Sequence, residues 1–171
     1  MTNFEETKKQ FILPENVVYL DGNSLGPMPK NAPDKIHSVL YDEWSKMLIN
    51  GWNDAAWMFQ PEQLGNKISR IIGAENDCVV VGETLSVRVY QALSCSLQET
   101  RKRKIILTDS GNFPSDLYMA QGLIELLKNR FELRICESDK IYENLNSEIA
   151  VLMLTDVDYR TGRKHNLSLI H

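Results

Sequence analysis

Long apolar runs are missing from this 171-residue chain, and no stretch approaches the roughly 18–20 apolar residues that a membrane-crossing helix needs. The opening residues, Met-Thr-Asn-Phe-Glu-Glu-Thr-Lys-Lys, are polar and hold no apolar secretory core, so a cytoplasmic location is expected. Positive charge is not in excess either. With 19 Lys and Arg against 23 Asp and Glu, the net charge is −4 and the pI near 5.4, which gives nucleic acid or an anionic membrane no broad basic field. The densest basic run, Arg101-Lys102-Arg103-Lys104, sits beside a predicted strand and reads as a solvated turn. Cysteine is scarce: Cys78, Cys95 and Cys136 are odd in number, widely spaced and form no CxxC pair. That excludes a disulfide framework and a thiolate metal site, and predicts reduced, mostly buried thiols. His37, His165 and His171 show no metal-ligand spacing. What remains, 43% hydrophobic and 25% charged, is the composition of a globular chain and not of a disordered one.

No internal repeat or low-complexity stretch is present. Residues 3–11 predict a short helix, 17–20 a brief extended run, and 21–27 (Asp-Gly-Asn-Ser-Leu-Gly-Pro) a connection dense in turn formers. Ile36, Val39, Leu40, Trp44, Met47 and Leu48 recur at helical spacing and predict one helix over 31–49. Leu64, Ile68, Ile71 and Ile72 predict a second, which Gly73 is placed to end. Beyond Gly73 short apolar runs alternate with helical patterns. Strands are predicted at 78–81, 104–108, 133–136 and 149–154, and helices at 85–97 and 115–130. This alternation predicts an α/β fold with a mostly parallel sheet, preceded by an N-terminal helical segment. The division expected is 1–57 for that segment and 58–171 for the sheet domain. The polar loop after the last strand should feed a crossover helix and another parallel strand, so the sequence reads as cut.

Ligands of open α/β sheets gather at the carboxyl ends of strands, and three strand-to-helix junctions qualify. At Gly82-Glu83-Thr84-Leu85-Ser86 the hydroxyls and the unpaired first-turn N–H groups suit an anion, although taken alone Thr84 and Ser86 are more often plain helix caps. At Asn112-Phe113-Pro114-Ser115-Asp116, Ser115 or Asp116 suits a cap and Pro114 the first helical turn. Phe113 lies outside both periodic stripes; core packing and stacking on a planar ligand are both open to it, and Asp116 could face a cationic ring nitrogen. At Thr155–Gly162 a hydroxyl that could bind an anion precedes Asp158, a turn residue, and Thr161-Gly162, a tight turn.

Taken together these pieces resemble one family. Tyr19-Leu20-Asp21-Gly22-Asn23-Ser24-Leu25-Gly26-Pro27 is similar to the opening signature of kynureninases. The same order then follows through Trp44, Trp52, Trp57, Ile72-Gly73-Ala74, Thr84-Leu85-Ser86-Val87, Phe113-Pro114-Ser115-Asp116 and Tyr159-Arg160-Thr161-Gly162. The resemblance is to the N-terminal portion of those enzymes. It implies the aspartate-aminotransferase fold, pyridoxal 5'-phosphate (PLP) as cofactor, and a homodimer. The activity implied is hydrolysis of kynurenine or 3-hydroxykynurenine to an anthranilate and alanine, in tryptophan catabolism and on towards NAD.

By the same resemblance Leu85 and Ser86 match a Leu-Thr pair at the cofactor and its phosphate. Phe113 matches the aromatic stacked on the pyridine ring, with Pro114, Ser115 and Asp116 in the same motif. Thr155 stands where the family has a small hydroxyl residue, and Ser24 and Trp52 match substrate-side positions. Ser86 replaces the usual Thr, Arg88 an Asn and Tyr90 a His. By the same resemblance the Asp-x-x-His stretch and the Tyr-Lys pair that anchors the cofactor would lie beyond His171, and Lys140 and Lys164 do not occupy that motif. The chain alone is therefore expected to be inactive. The competing expectations are a non-catalytic remnant that pairs with a partner or binds a ligand, and another enzyme of the same fold such as a cysteine desulfurase, against which the Gly-Asn-Ser-Leu-Gly and Phe-Pro-Ser-Asp motifs speak.

Overall fold

The computed structural model describes residues 3–100 and 102–171, so Arg101 of the basic run lies outside the described residues. The chain divides into two compact units, the first ending at Val81 and the second beginning at Gly82.

In the first unit, Asn3 accepts the Glu6 N–H and starts α1 (Phe4–Lys8), whose first turn carries Glu5 and Glu6 as the helix dipole favours. A two-residue antiparallel ladder, β1 (Phe11–Ile12) with β2 (Met28–Pro29), closes the loop that carries Ser24. Inside it Ser24 and Leu25 N–H groups bond the Asp21 carbonyl, and the Tyr19 hydroxyl donates to the Leu25 carbonyl at 2.6 Å.

The helix expected over 31–49 runs from Ala32 to Met47 and stops there. It comprises α2 (Ala32–Ser38), a π-helical turn (Val39–Trp44) and α3 (Ser45–Met47), and Leu48 enters a one-turn 3-10 segment with φ 51°. A branched residue at positive φ cannot continue the helix, whatever the periodicity of its neighbours. After α4 (Gly51–Asp54), Trp57 lies so close to Gly51 that a Cβ there would stand 2.6 Å from its ring, and the Trp57 indole N–H donates to Glu43 at 2.7 Å. The amphipathic α5 (Gln60–Ile72) ends, as the sequence predicts, where Gly73 turns to φ 73°.

The strand expected at 78–81 does not form. Val81 donates its N–H to Pro61 of α5, and the Val79 carbonyl packs against Gly65, so the run is held on a helix and pairs with no strand.

The second unit is a parallel three-stranded sheet of order β4-β3-β5, with β3 (Ile105–Asp109) between β4 (Glu132–Cys136) and β5 (Ile149–Met153). Period-2 alternation puts Ile106 on one face with Leu93, Leu97, Ala120, Leu123, Ile124 and Phe131 of α6 (Leu85–Gln98), α7 (Pro114–Leu126) and the loop after α7. Ile105 and Leu107 face the other way, onto Ile141 of α8 (Ile141–Asn144) and Ile149, with Ile170 of α9 (Leu167–Ile170) packed against them. All five residues of β3 are buried, as a central parallel strand covered on both faces requires. The cysteines depart from expectation: Cys78 and Cys95 are exposed and Cys136 half-buried, because Cys78 falls in the unpaired run and Cys95 on the outer face of α6. No helix among the described residues is long and apolar enough to cross a membrane.

Candidate functional site

The loop after β3 leads to α7 on one face of the sheet, and the loop after β5 leads to α9, which packs on the opposite face. Two neighbouring strands whose connections part in this way open a crevice at their carboxyl ends, which is where α/β sheets bind ligands. Polar side chains are buried in the same place. Of the five buried polar or charged side chains described, Thr108, Asp109, Asn112 and Asp116 stand at the end of β3 or in the first turn of α7; Ser69, in the first unit, is the fifth.

Burying such groups costs free energy unless they are bonded, and three of the four are well satisfied. Asn112 donates its amide to the Thr108 hydroxyl at 3.2 Å, while its Oδ1 accepts both the Thr155 hydroxyl and the Phe113 N–H at 2.8 Å. Asp109 accepts from the His165 ring at 2.8 Å. Asp116 is different: among the described residues its carboxylate, 6% exposed as a residue, meets only the Ser115 hydroxyl at 3.4 Å and keeps spare acceptor capacity.

Phe113 itself is 49% exposed, and its ring meets Tyr159 edge-on at 5.2 Å between centroids. Core packing, one of the two readings of Phe113, is thereby ruled out by its exposure. The capping expectation is also revised: Phe113 is the residue before α7, no side chain caps that helix, and Asn112 takes the Phe113 N–H where Ser115 or Asp116 was expected to cap. Pro114 does take the first turn.

Leu85 and Ser86 open α6. α6 packs through Leu93 and Leu97 on Ile106 of β3 and on α7, with Leu85 and Ser86 at its N-terminus. Thr84 makes no side-chain cap bond there, and Arg88, paired with Glu83 at 2.9 Å, lies over Gly82. Ser24 and Trp52 belong to the first unit, where Trp52 meets Trp57 edge-on at 6.2 Å between centroids.

Beyond Thr155 a hairpin forms, with Val157 bridged to Lys164 and Gly162 at φ 70° in its turn. Asp158 is the turn residue expected. The Thr161 and Arg160 backbone N–H groups, which bond its carboxylate at 2.9 and 2.8 Å, pull its pKa down to about 2. A folded-state pKa below the ordinary 3.8 stabilises the hairpin above that value, and the contribution is lost as pH falls through about 2. In an NMR titration the Thr161 and Arg160 amides should therefore shift with a midpoint near 2, and a midpoint near 4 contradicts this geometry.

Sequence reasoning missed Asn112 and the Asp109–His165 pair. One signal was available: an acid ending a strand that opens Ile-Ile-Leu, and so is buried, must find a buried donor.

An open α/β unit with its polar cluster at a strand-order crevice is a ligand-binding fold, and the comparisons with known proteins are specific about which. No family model matches the chain. It is 41% identical over 168 residues to the kynureninase of Pseudomonas fluorescens, 40% over 165 residues to that of Burkholderia mallei, and 39% over 165 residues to that of Burkholderia pseudomallei. These alignments cover 94–95% of the chain, which spans about 40% of the length of the curated relatives it matches. The chain is thus similar, along nearly its whole length, to the N-terminal portion of these kynureninases.

Proposed function

We propose that this chain carries the phosphate- and ring-facing part of the PLP site of a kynureninase-like C–C hydrolase acting on kynurenine or 3-hydroxykynurenine. The observation that carries the reading is the end of β3: a half-exposed aromatic ring beside a buried carboxylate with spare acceptor capacity, at the strand-order crevice. The donor set fits the cofactor. Ser86 and the uncapped N-terminus of α6 suit a phosphate, and Leu85 lines its approach. Phe113 offers its face to a pyridine ring, Asp116 its free oxygen to a cationic centre, and Thr155 a hydroxyl; Pro114 and Ser115 set the turn that presents them. When bound, PLP supplies an electron sink, while protein groups supply orientation and electrostatics.

In this reading residues 58–171 form the cofactor domain, and Ser24 and Trp52 of 1–57 are substrate-side residues of the family's pattern. A cytoplasmic homodimer is the proposed working form; the exposed Ile36, Leu40, Tyr41, Trp44 and Ile49 of the first unit suit burial against a second copy. The lysine that holds PLP covalently in this family has no counterpart here, so the chain alone is proposed to bind and not to turn over.

Pyridoxine 5'-phosphate tests the site, since it has no aldehyde and needs no lysine. Ser86→Ala should weaken its binding by about 1.5–3 kcal/mol, the value of a charge-assisted hydrogen bond. Phe113→Ala should remove about 0.5–1.5 kcal/mol of stacking beyond the lost contact area. Affinities unchanged in both variants would refute the site.

A further inference from the structure

We propose that Asp109 and His165 form a positioning pair that latches the hairpin after β5 onto the end of β3, and so fixes Phe113 and Thr155 in a single arrangement. The inference rests on the cofactor reading for what the arrangement serves, and on geometry alone for the latch.

Asp109 shares the face of β3 that Ile105 and Leu107 turn towards α8 and α9, and its side chain is 5% exposed. His165 stands two residues before α9, and its ring, 10% exposed, places Nε2 2.8 Å from Asp109 Oδ2. A carboxylate acceptor requires the proton on Nε2, so the ring donates. The hairpin is stiff in itself. Asp158 N–H bonds Arg163 O at 2.8 Å, Gly162 N–H bonds Asp158 O at 2.9 Å, and His165 N–H bonds Asp156 O at 3.0 Å. What it needs is an attachment to the sheet beyond the covalent one at β5.

Three contacts supply it: Thr155 on Asn112 at 2.8 Å, Tyr159 on Phe113 at 5.2 Å, and His165 on Asp109. The first two involve exposed residues, and Tyr159 is 54% exposed. Only the third joins two nearly buried, charge-assisted partners.

Gly111 shows how tight the seat is. A Cβ there would stand 2.8 Å from Asp158 Oδ2, 3.0 Å from Asp109 Oδ1 and 3.0 Å from Ser138 Oγ. Two carboxylates thus converge across a glycine that has no room for a side chain. Asp158 is held by the Arg160 and Thr161 N–H groups, and Asp109 by His165. Without the ring donor, Asp109 is a buried carboxylate facing another, and the cheapest relief is for the hairpin to swing away. That movement takes Tyr159 from Phe113 and Thr155 from Asn112, whose Oδ1 also holds the Phe113 N–H.

The test is amide hydrogen exchange on the ligand-free 171-residue chain, with pyridoxine 5'-phosphate affinity beside it. His165→Leu should speed exchange at both Gly162 and Phe113 by about ten-fold or more, the loss of one charge-assisted bond, while Ile106 and Leu107 stay protected. His165→Gln, whose amide can still donate to Asp109, should restore most of that protection. In a Thr155→Val background His165→Leu should add little at Phe113, because the connection through Asn112 is already cut.

Faster exchange at Gly162 with Phe113 unmoved would overturn the proposal, leaving a local tether. Loss of protection at Ile106 and Leu107 in both His165 variants would overturn it too, making the pair a determinant of the whole fold. If His165→Leu weakens the pyridoxine phosphate as Phe113→Ala does, the latch serves the ligand. If the chain does not bind that probe, or Phe113→Ala leaves its affinity unchanged, the cofactor reading fails and the exchange pattern alone decides the latch.

Discussion

Treated with equimolar PLP and then borohydride, the 171-residue chain is expected to carry adducts scattered among its lysines, with none labelled to completion, and to release no anthranilate from kynurenine. Covalent capture of an aldehyde at neutral pH needs an unprotonated amine, and proteins obtain one by burying a lysine or placing it beside another cation. Every described lysine is exposed. Several are tied to carboxylates as well: Lys164 lies 3.5 Å from Asp156, and Lys46 2.8 Å from Asp42. Lys140 bonds Glu143 at 2.8 Å, and that bond raises its pKa and favours the unreactive charged form. Lys164 is the lysine of the hairpin that borders the crevice, but its side chain is 68% exposed. Mapping the reduced adducts by mass spectrometry checks the point. One lysine labelled stoichiometrically, together with turnover, would mean that the chain holds a complete catalytic site that the crevice at β3 does not describe.

Gly65→Ala should destabilise the first unit severely. A glycine inside a helix ordinarily costs about 1 kcal/mol relative to alanine, so the exchange would be a gain on an open surface. At Gly65 the new Cβ would stand 1.8 Å from the Val79 carbonyl oxygen and 2.6 Å from its carbon. Those are backbone atoms of a run tied to α5 by the Val81–Pro61 bond, and they cannot rotate aside. Overpacking of this kind costs about 1–3 kcal/mol or more, which for a unit this small lowers the melting temperature by on the order of 10 °C. Gly122→Ala is the matched control, since that glycine lies in α7 with nothing within 4 Å of its Cβ position. It should be neutral or stabilising by up to about 1 kcal/mol. Thermal unfolding followed by circular dichroism compares the two, and a Gly65→Ala chain as stable as the Gly122→Ala chain would contradict the packing described.

Much of the second unit was legible because its elements are driven by burial on a fixed period. β3 and β5 are short apolar runs of strand length and α7 carries apolar residues at helical spacing, and they form where those patterns place them. The run at 78–81 has the same composition as a strand, yet strand formation depends on a partner that no local pattern reveals. Val81 bonds to a helix carbonyl instead. The helix expected over 31–49 forms as far as Met47, and only its end was misplaced, because Leu48 leaves the helix at positive φ.

Within the candidate site the sequence singles out Phe113, Asp116 and Thr155, because polar or aromatic residues outside a periodic stripe ask for another explanation. Asn112 was not, although it sits directly before Phe113. Its importance comes from Thr108 and Thr155, the second of them 43 residues away, and only the folded sheet brings the three together. His165 was weighed as a metal ligand and dismissed, since nothing in its neighbourhood points to Asp109, 56 residues earlier.

The central claim is that the end of β3 and the start of α6 form one half-site for a phosphorylated pyridine. The most direct measurement is a chemical-shift titration of the labelled chain with pyridoxine 5'-phosphate, using inorganic phosphate as the reference. The account predicts that the amides of Leu85 and Ser86, of Asn112 through Asp116 and of Thr155 move together with one saturation curve, and that phosphate alone moves only the α6 group. Shifts that do not saturate, or that centre on exposed lysines such as Lys8 and Lys102, would contradict it.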